Sequence, residues 1–322
     1  MEKYLIELPS IRDDNNGYNY LFKLANVILS NPLRHFDFNF RNCSVLDQNA
    51  VAMLGGLARF VDLQNSKNNN RILNYVVPEM VQKCGVMFQV DSMSQIISQQ
   101  LIENNFLSHF SRESFSGYPI GDYIGYRQHL DFLDSSEIAM HLSEHWLSDE
   151  KVMLAEDLKE AVVSRIIEIF MNAYGHSYKG NNNQVLVSCG QYLKKEKKIK
   201  LTVLDFGCGI IENVKSHFNK KIQDDDAMKW ALLSGNSTKT DSINLDMPRG
   251  LGFGLLSEFA TVNEGVLRVF SNSCEAKATG NNLYSVSKMK TPFNGTLVNI
   301  SINCDGRHYS FVSETSNEKQ YF

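Results

Sequence analysis

The stretch from residue 154 to residue 174 most constrains the fold, because its apolar residues recur at the spacing of a helix. These residues are Leu154, Leu158, Val162, Val163, Ile166, Ile167, Phe170, Met171 and Tyr174. The pattern predicts a long amphipathic helix with one face packed on a core. Glu168 and Asn172 are four residues apart in this stretch, so they project from the same side about one turn apart.

The pair of Glu168 and Asn172 has two interpretations. A carboxylate and an amide carbonyl are both hard oxygen ligands, which suit Mg²⁺ because this ion holds few protein groups and several waters beside phosphates. The Glu168 carboxylate could also accept a proton from an attacking water or hydroxyl. The alternative is an ordinary polar face on an exposed helix.

A strand followed by two glycines comes next in the chain. Residues 199–204 form a β-branched run that predicts a strand leading into Asp205. Gly207 and Gly209 follow it, and glycines let the backbone approach a flat ring or a phosphate closely. A carboxylate at a strand end can accept a hydrogen bond from an exocyclic amine, such as that of adenine. An ordinary turn is the alternative for this D-x-G-x-G pattern.

A third segment carries Gly250, Gly252 and Gly254 and then continues into apolar residues. It predicts a loop that opens a helix, where free N–H groups and the helix dipole favour an anionic phosphate. The segment is not a Walker A loop, because no G-K-[ST] follows. It is not a dinucleotide fingerprint either, because no strand runs straight into it.

Residues 210–249, between the second and third segments, show little apolar periodicity, which is typical of a functional lid. Lys239 and Arg249 are the cations available there for terminal phosphates. Arg249 is the stronger candidate, because it adjoins the glycines and can make bidentate contacts.

The order of these motifs, followed by Gly295-Thr296 and the alternating run LVNISI, resembles the GHKL ATPases. This family includes gyrase B subunits, heat-shock chaperones of that class, histidine kinases and mismatch-repair ATPases. The resemblance covers roughly residues 140–305, about half of the chain. It implies a Bergerat-type α/β sandwich, with helices on a mixed sheet and ATP bound beneath a mobile lid.

The resemblance also implies a role for each matching residue. Glu168 would be the general base or the group that orients water, and Asn172 would be the Mg²⁺ ligand. Asp205 would bind the adenine amine, with Thr296 supporting the hydrogen bonds on that side. Gly207 and Gly209 would flank the adenine ring. The phosphates would be cradled by Gly250, Gly252 and Gly254.

Within the family, RGLGFGL and SGNSTKT look similar to the anti-sigma-factor kinases, and NAYGHS looks like the N-box of histidine kinases. His141 and His145 lack the setting of a phosphoaccepting histidine and are typical of surface groups, although their spacing could bind a metal. We therefore expect a Mg²⁺-dependent ATPase or a kinase for Ser/Thr of a partner protein. The alternative is a non-hydrolysing, ATP-responsive regulatory protein-interaction module.

The first 110 residues alternate between strand and helix patterns. Strands are predicted at 4–8, 36–40 and 71–76, helices at 18–29 and 46–61, and Pro78 is predicted to open a further helix. A βαβαβα order favours a compact sheet with helices on one side. This half faintly resembles STAS domains, in which a D-S-S-G-like segment opens a helix.

The stretch that matches the STAS segment is Asp47-Gln48-Asn49-Ala50. It lacks the hydroxyl that the family phosphorylates, so the resemblance implies no phosphorylation here. Asp47 could equally be a helix N-cap.

The expected fold class is α/β (α+β) in two domains. The predicted division is a STAS-like α/β domain at 1–110, a linker at 111–134, the GHKL ATP-binding domain at 135–309 and a polar tail at 310–322. A chain of 322 residues with 43% hydrophobic residues has room for both domains.

Composition narrows the expected partners and compartment. A net charge of −4 without a basic patch speaks against nucleic acid. No apolar run reaches the length of a membrane span, so we expect no membrane partner and a cytoplasmic location. The six scattered cysteines are typical of reduced thiols. We expect a protein partner and leave a homodimer open.

Overall fold

The computed structural model describes residues 3–73, 85–110, 123–129, 135–177, 185–233, 236, 252–280 and 283–312. Lys239, Arg249 and Gly250 lie outside these residues, as do residues 234–235 and 237–249 of the predicted lid. The first part of that segment, in which the sequence shows little apolar periodicity, contains two helices, Ile210–His217 and Asp224–Leu232. The described chain combines helices with several sheets, as expected for an α+β protein. Among the described helices, none has both the length and the apolar character needed to cross a membrane.

The N-terminal half forms a three-stranded parallel sheet in the order β1-β2-β3. Its elements are β1 (Lys3–Glu7), α1 (Asn15–Leu29), β2 (His35–Asn39), α2 (Gln48–Leu73), β3 (Gly85–Gln89), α3 (Gln95–Glu103) and α4 (Phe106–Phe110). The predicted alternation of strands and helices is confirmed. α1 begins where Asp14 accepts the N–H of Gly17, and its buried face carries Leu21, Ala25 and Ile28 at helical spacing.

The predicted strand at 71–76 is wrong over its first three residues, because α2 continues to Leu73. The third strand is β3 instead. The asparagines and serine in the polar stretch at 64–70 cost a helix at most about 0.7 kcal/mol each, so they did not end it. Residues 74–76 and Pro78 lie outside the described residues.

The C-terminal half is built on a five-stranded sheet in the order β4-β6-β7-β9-β8. Its strands are β4 (Tyr123–His129), β6 (Leu186–Leu193), β7 (Lys198–Asp205), β8 (Val266–Gly280) and β9 (Leu283–Asn303), and β5 (Met153–Leu154) pairs separately with β10 (His308–Tyr309). Its helices are α5 (Ser135–His141), α6 (Glu156–Ser177), α7 (Ile210–His217), α8 (Asp224–Leu232) and α9 (Gly252–Val262), with a π-helix at Leu142–Trp146.

Every neighbouring pair in the five-stranded sheet runs antiparallel, so the expectation of a mixed sheet is wrong. Short connections account for two of these pairs, β6–β7 and β8–β9, since a parallel pair needs a crossover of a dozen or more residues. The turn at 194–197 joins β6 directly to β7, and residues 281–282 join β8 to β9.

Both faces of the five-stranded sheet are covered. On β7, Ile199, Leu201 and Val203 belong to one core, which also contains the apolar face of α6. Leu204 points the other way, into a core built largely by α1 and α2. The two halves of the chain therefore share the sheet, one on each face.

The segment predicted as a linker contains a strand of this sheet. β4 lies at the edge of the sheet, beside β6, and Tyr126 is fully buried in the core shared with the N-terminal half. Gly55 on α2 lies against that ring, where a Cβ would come within 2.4 Å of it. The boundaries between the two domains stay a prediction.

Candidate functional site at one end of the central sheet

α6 is the predicted amphipathic helix. Leu158, Val162, Ile166 and Phe170 are buried on its core face, as the spacing predicts, whereas Met171 is 41% exposed. Ile169, which the predicted stripe omits, is buried because helices on both sides of α6 widen its covered face.

Glu168 and Asn172 lie on the partly exposed side of α6. The side chain of Glu168 is 14% exposed, and its carboxylate lies 3.4 Å from the guanidinium of Arg165, one turn earlier. This ion pair gives the carboxylate a defined position on the helix.

Asp205 is the last residue of β7, as predicted, and is 4% exposed. Its carboxylate accepts the N–H of Gly207 at 2.7 Å and a hydrogen bond from the side chain of Thr296. Burial raises the pKa of Asp205 to about 7, although both hydrogen bonds act in the opposite direction. The carboxyl therefore keeps its proton to a higher pH than an exposed aspartate does.

The loop after Asp205 is anchored by two residues of β8 that sequence reasoning missed. Ile210 donates its N–H to the Oγ of Ser271 at 2.8 Å, and Ile211 donates to the Oδ1 of Asn272 at 3.1 Å. The Asn272 amide in turn donates to the carbonyl of Cys208 at 2.8 Å. The partners are about 60 residues apart in sequence, so no local pattern could reveal them.

Gly209 is the tightest point of this loop. Its φ of +82° lies in the left-handed region, and a Cβ there would come within 2.3 Å of the Oδ1 of Asn272. The glycine pattern predicts a close approach of the backbone, and in the structure the backbone at Gly209 approaches β8. The first N–H groups of α7 donate hydrogen bonds to side chains of β8.

One row of residues crosses the sheet at this end. In register, it consists of His129, Leu186, Asp205, Thr296 and Ser271. Asp205 alternates with Ile199, Leu201 and Val203, so it faces the same layer as α6. By the same alternation with Val298, Ile300 and Ile302, Thr296 faces that layer too. Asp205, Thr296 and Ser271 therefore form a polar group at the end of the sheet face that packs on α6.

α6 passes this row at the β4 edge. The ring of Phe170 lies 4.9 Å from the ring of His129, between centroids. Glu168 and Asn172 flank Phe170 by two residues, about 3 Å along the helix axis. His129 lies two strands from Asp205, about 10 Å. Residues two apart on a helix are about 200° apart around its axis, so Glu168 and Asn172 project away from the face of α6 that touches His129. The structure thus brings Asp205 and Thr296 together, and it places Glu168 and Asn172 on the other side of the neighbouring helix.

α9 begins at Gly252, so the helix predicted after the glycines is confirmed. Gly254 is buried in its first turn. The hydroxyl of Tyr284 on β9 donates to the carbonyl of Phe253 at 2.7 Å, which holds this helix start against the β8–β9 hairpin.

His, Cys, Asp and Glu side chains, which are the usual metal ligands, are spread through the described residues. No group of three or more His, Cys, Asp or Glu side chains there is arranged to hold a metal ion. The interpretation of His141 as a surface group is wrong, because His141, the last residue of α5, is buried and burial lowers its pKa to about 3. The ring of His145 lies 5.3 Å away, between centroids.

Comparison with known proteins gives no match, either to a protein-family model or to a curated protein. The chemistry of this site is therefore derived from its own residues.

Proposed function

We propose that this chain is a Mg²⁺-dependent ATP-binding protein of the GHKL type, with its nucleotide site at the Asp205 end of the five-stranded sheet, beside α6. The observation that supports this most is the row of Asp205, Thr296 and Ser271, which places a buried carboxylate and two hydroxyls together at the end of the sheet face that packs on α6. Burying a carboxylate costs free energy unless hydrogen bonds compensate. A ligand that donates to Asp205 explains why such a group is kept there.

The side of the site that would bind the adenine base rests on two groups. The carboxylate of Asp205 can accept from an amine, and the hydroxyl of Thr296, whose proton is donated to Asp205, can accept a hydrogen bond from water or from the ligand. Because a hydrogen bond to the ionised form favours that form, an amine donor would lower the raised pKa of Asp205. Nucleotide binding would then release protons near neutral pH.

The side that would bind phosphate rests on α6 and α9. The start of α9 at Gly252 offers free N–H groups and the positive end of a helix dipole. The amide oxygen of Asn172 is a suitable Mg²⁺ ligand, and the bound ion would neutralise charge on the phosphates. Glu168, held by Arg165, would orient or deprotonate the attacking hydroxyl.

Titration calorimetry with Mg²⁺ and ATP tests this site. We expect the wild-type chain to bind, and Asp205→Asn to lose about 1–3 kcal/mol of binding free energy, which is about 5-fold to 150-fold in Kd. Glu168→Gln should bind normally but lose about a hundredfold or more in turnover, measured as phosphate release. Met171→Ala, on the exposed side of the same helix, is the matched control and should change neither. Normal affinity in Asp205→Asn would exclude the pocket as assigned.

A second candidate is the regulatory module that binds ATP without hydrolysing it. Phe206, between Asp205 and Gly207, favours this candidate because its ring packs against α2 of the N-terminal half. It lies 5.9 Å from the ring of Phe60, and a Cβ on Gly56 would come within 2.7 Å of it. A ligand that moves the loop would therefore press directly on the other half of the chain.

Two assays on the same sample separate these candidates. Phosphate release measures transfer to water, and transfer of a radiolabelled phosphate measures transfer to a protein hydroxyl. Protein partners for the second assay come from a pull-down with and without a non-hydrolysable ATP analogue. Binding without either reaction favours the regulatory module.

A further inference from the structure

A cavity of about 390 Å³ lies away from the proposed nucleotide site. Lys200 and Ser301, which line it, form a row of the sheet five residues from the row of Asp205, about 17 Å along the strands. Lys200 alternates with Ile199 and Leu201, so it faces the N-terminal half rather than α6. The cavity therefore occupies the opposite face and the opposite end of the sheet.

A sharp bend in the β8–β9 hairpin builds one wall of the cavity. Arg268 donates from Nε to the carboxylate of Glu275 at 2.7 Å, although seven residues separate them on β8. In a straight strand they would be about 23 Å apart. The register shifts between Ser271 and Cys274 allow the strand to turn back. The returning segment brings Glu275, Lys277 and Ser285 to the cavity.

The floor of the cavity is made of charges that already have partners. The ammonium of Lys200 lies 3.1 Å from the carboxylate of Asp13, and both side chains are about nine-tenths buried. Arg268 is paired with Glu275 and also donates to the amide oxygen of Asn15 at 2.6 Å. These ion pairs fix the floor and bridge the two halves of the chain.

The rim carries cations that are not paired in this way. Lys198 and Lys277 line the cavity, and neither forms an ion pair within the described part of the chain. Glu196 is the carboxylate on that rim. Four basic residues therefore face three acidic ones around the cavity, so its lining has a surplus of one positive charge.

The remaining lining groups are hydrogen-bonding and neutral. Hydroxyls of Ser285, Ser287 and Ser301 and the amide of Asn299 complete the wall, and Val266 is the apolar residue among those that line the cavity. Such a lining offers many donors and little apolar surface. It suits a hydrophilic ligand, and the volume is within the range of small-molecule sites.

We propose that this cavity binds a small hydroxylated organic anion whose phosphate or carboxylate oxygens are held by Lys198 and Lys277. The serine hydroxyls and Asn299 would hydrogen-bond the hydroxyl groups of the ligand. Because Asp13 and Asn15 belong to the N-terminal half, a ligand here would tie that half to the β8–β9 hairpin. Binding at this site does not depend on the nucleotide site.

Titration calorimetry and thermal unfolding with glucose 6-phosphate, citrate and glucose test the proposal. We expect saturable binding of the first or the second, with a rise in Tm, and none of uncharged glucose. The stronger of the two anions identifies the acidic group as phosphate or carboxylate. The double variant Lys198→Glu, Lys277→Glu should bind at least about tenfold more weakly.

Two control variants make the outcome decisive. Lys221→Glu reverses an exposed charge away from the cavity and should bind as the wild type does. Asp205→Asn should also bind these anions normally, which separates this cavity from the nucleotide site. Circular dichroism checks that the double variant is folded. The proposal is overturned if neither anion binds the wild type, or if the double variant binds as tightly as the wild type.

Discussion

The two faces of the five-stranded sheet are closed by different chemistry. On the α6 face, Leu201 and Val203 are buried among apolar side chains of helices that belong to the same half of the chain. On the other face, Lys200, Thr202 and Asn299 are buried against the N-terminal half. Adjacent residues of β7 thus serve a hydrophobic core and a polar contact between halves. Docking of the N-terminal half therefore depends on ion pairs and hydrogen bonds as well as on apolar packing.

The polar contact between the halves is a connected network. Asn299 accepts from Gln48 at 3.0 Å and from Thr202 at 2.8 Å, and it donates to Asp13. Burial alone would raise the pKa of Asp13, but the charge of Lys200 and the hydrogen bonds from Tyr18, Lys200 and Gln48 outweigh it and lower this pKa. The network therefore keeps a charged carboxylate within the contact.

The largest effect should come from breaking this network at Lys200. Lys200→Ala leaves the carboxylate of Asp13 buried without its cation and should cost about 3–5 kcal/mol of the free energy of unfolding. Urea denaturation measures the loss, and limited proteolysis should show the N-terminal half cleaved first. The double variant Lys200→Met, Asp13→Asn removes both charges and should recover much of the loss. If the single variant costs less than the double variant, the ion pair does not hold the halves together.

A somewhat smaller effect should follow on the opposite face. Leu201 is 2% exposed, and Leu201→Ala should cost about 3 kcal/mol by leaving a cavity in the α6 core. Because that core is continuous, we expect one cooperative transition in urea rather than early release of one half. If the N-terminal half of this variant instead unfolds separately, the α6 core also holds that half in place, and the contrast between the two faces is wrong.

The effect of pH on Asp205 is the smallest at each step of its measurement, because it is spread over the range from pH 3.8 to about 7. The unfolded carboxyl ionises near 3.8, whereas burial raises the pKa in the folded chain to about 7. Below 3.8 the group is protonated in both states and its contribution to stability is fully present. That contribution should fall as pH rises toward about 7, by at most about 1.4 kcal/mol per pH unit. Asp205→Asn should remove this slope, seen as a difference from the wild type in urea denaturation across the range. Parallel pH profiles would contradict the raised pKa.

Local patterns predicted the parts of the site that lie within single elements. The periodicity of α6, the strand before Asp205 and the helix that begins at Gly252 all follow from residues close together in sequence. Ser271 and Asn272 could not be recognised, because their partners lie on another strand and loop. The assignment of 111–134 as a linker missed β4, whose pairing with β6 depends on residues about 60 positions away.

The run LVNISI, residues 297–302 of β9, contains both a feature that the sequence predicts and one that it does not. Its alternation predicts a strand with one apolar face, and Val298, Ile300 and Ile302 do face the α6 core. The same pattern suggests that Asn299 and Ser301 face solvent, yet both are buried because the N-terminal half covers them. A polar residue looks alike in sequence whether water or another part of the chain hydrogen-bonds it.

The sequence by itself determined where α6, β7, α9 and the last part of β9 form, because each of these carries a periodic pattern within one stretch of the chain. The tertiary structure alone decided that Asp205, Thr296 and Ser271 share a row, that the sheet is antiparallel and that the N-terminal half closes its second face. Helix and strand periodicity is a local property of the backbone. Strand register and burial arise from contacts between distant segments, which no single stretch of sequence specifies.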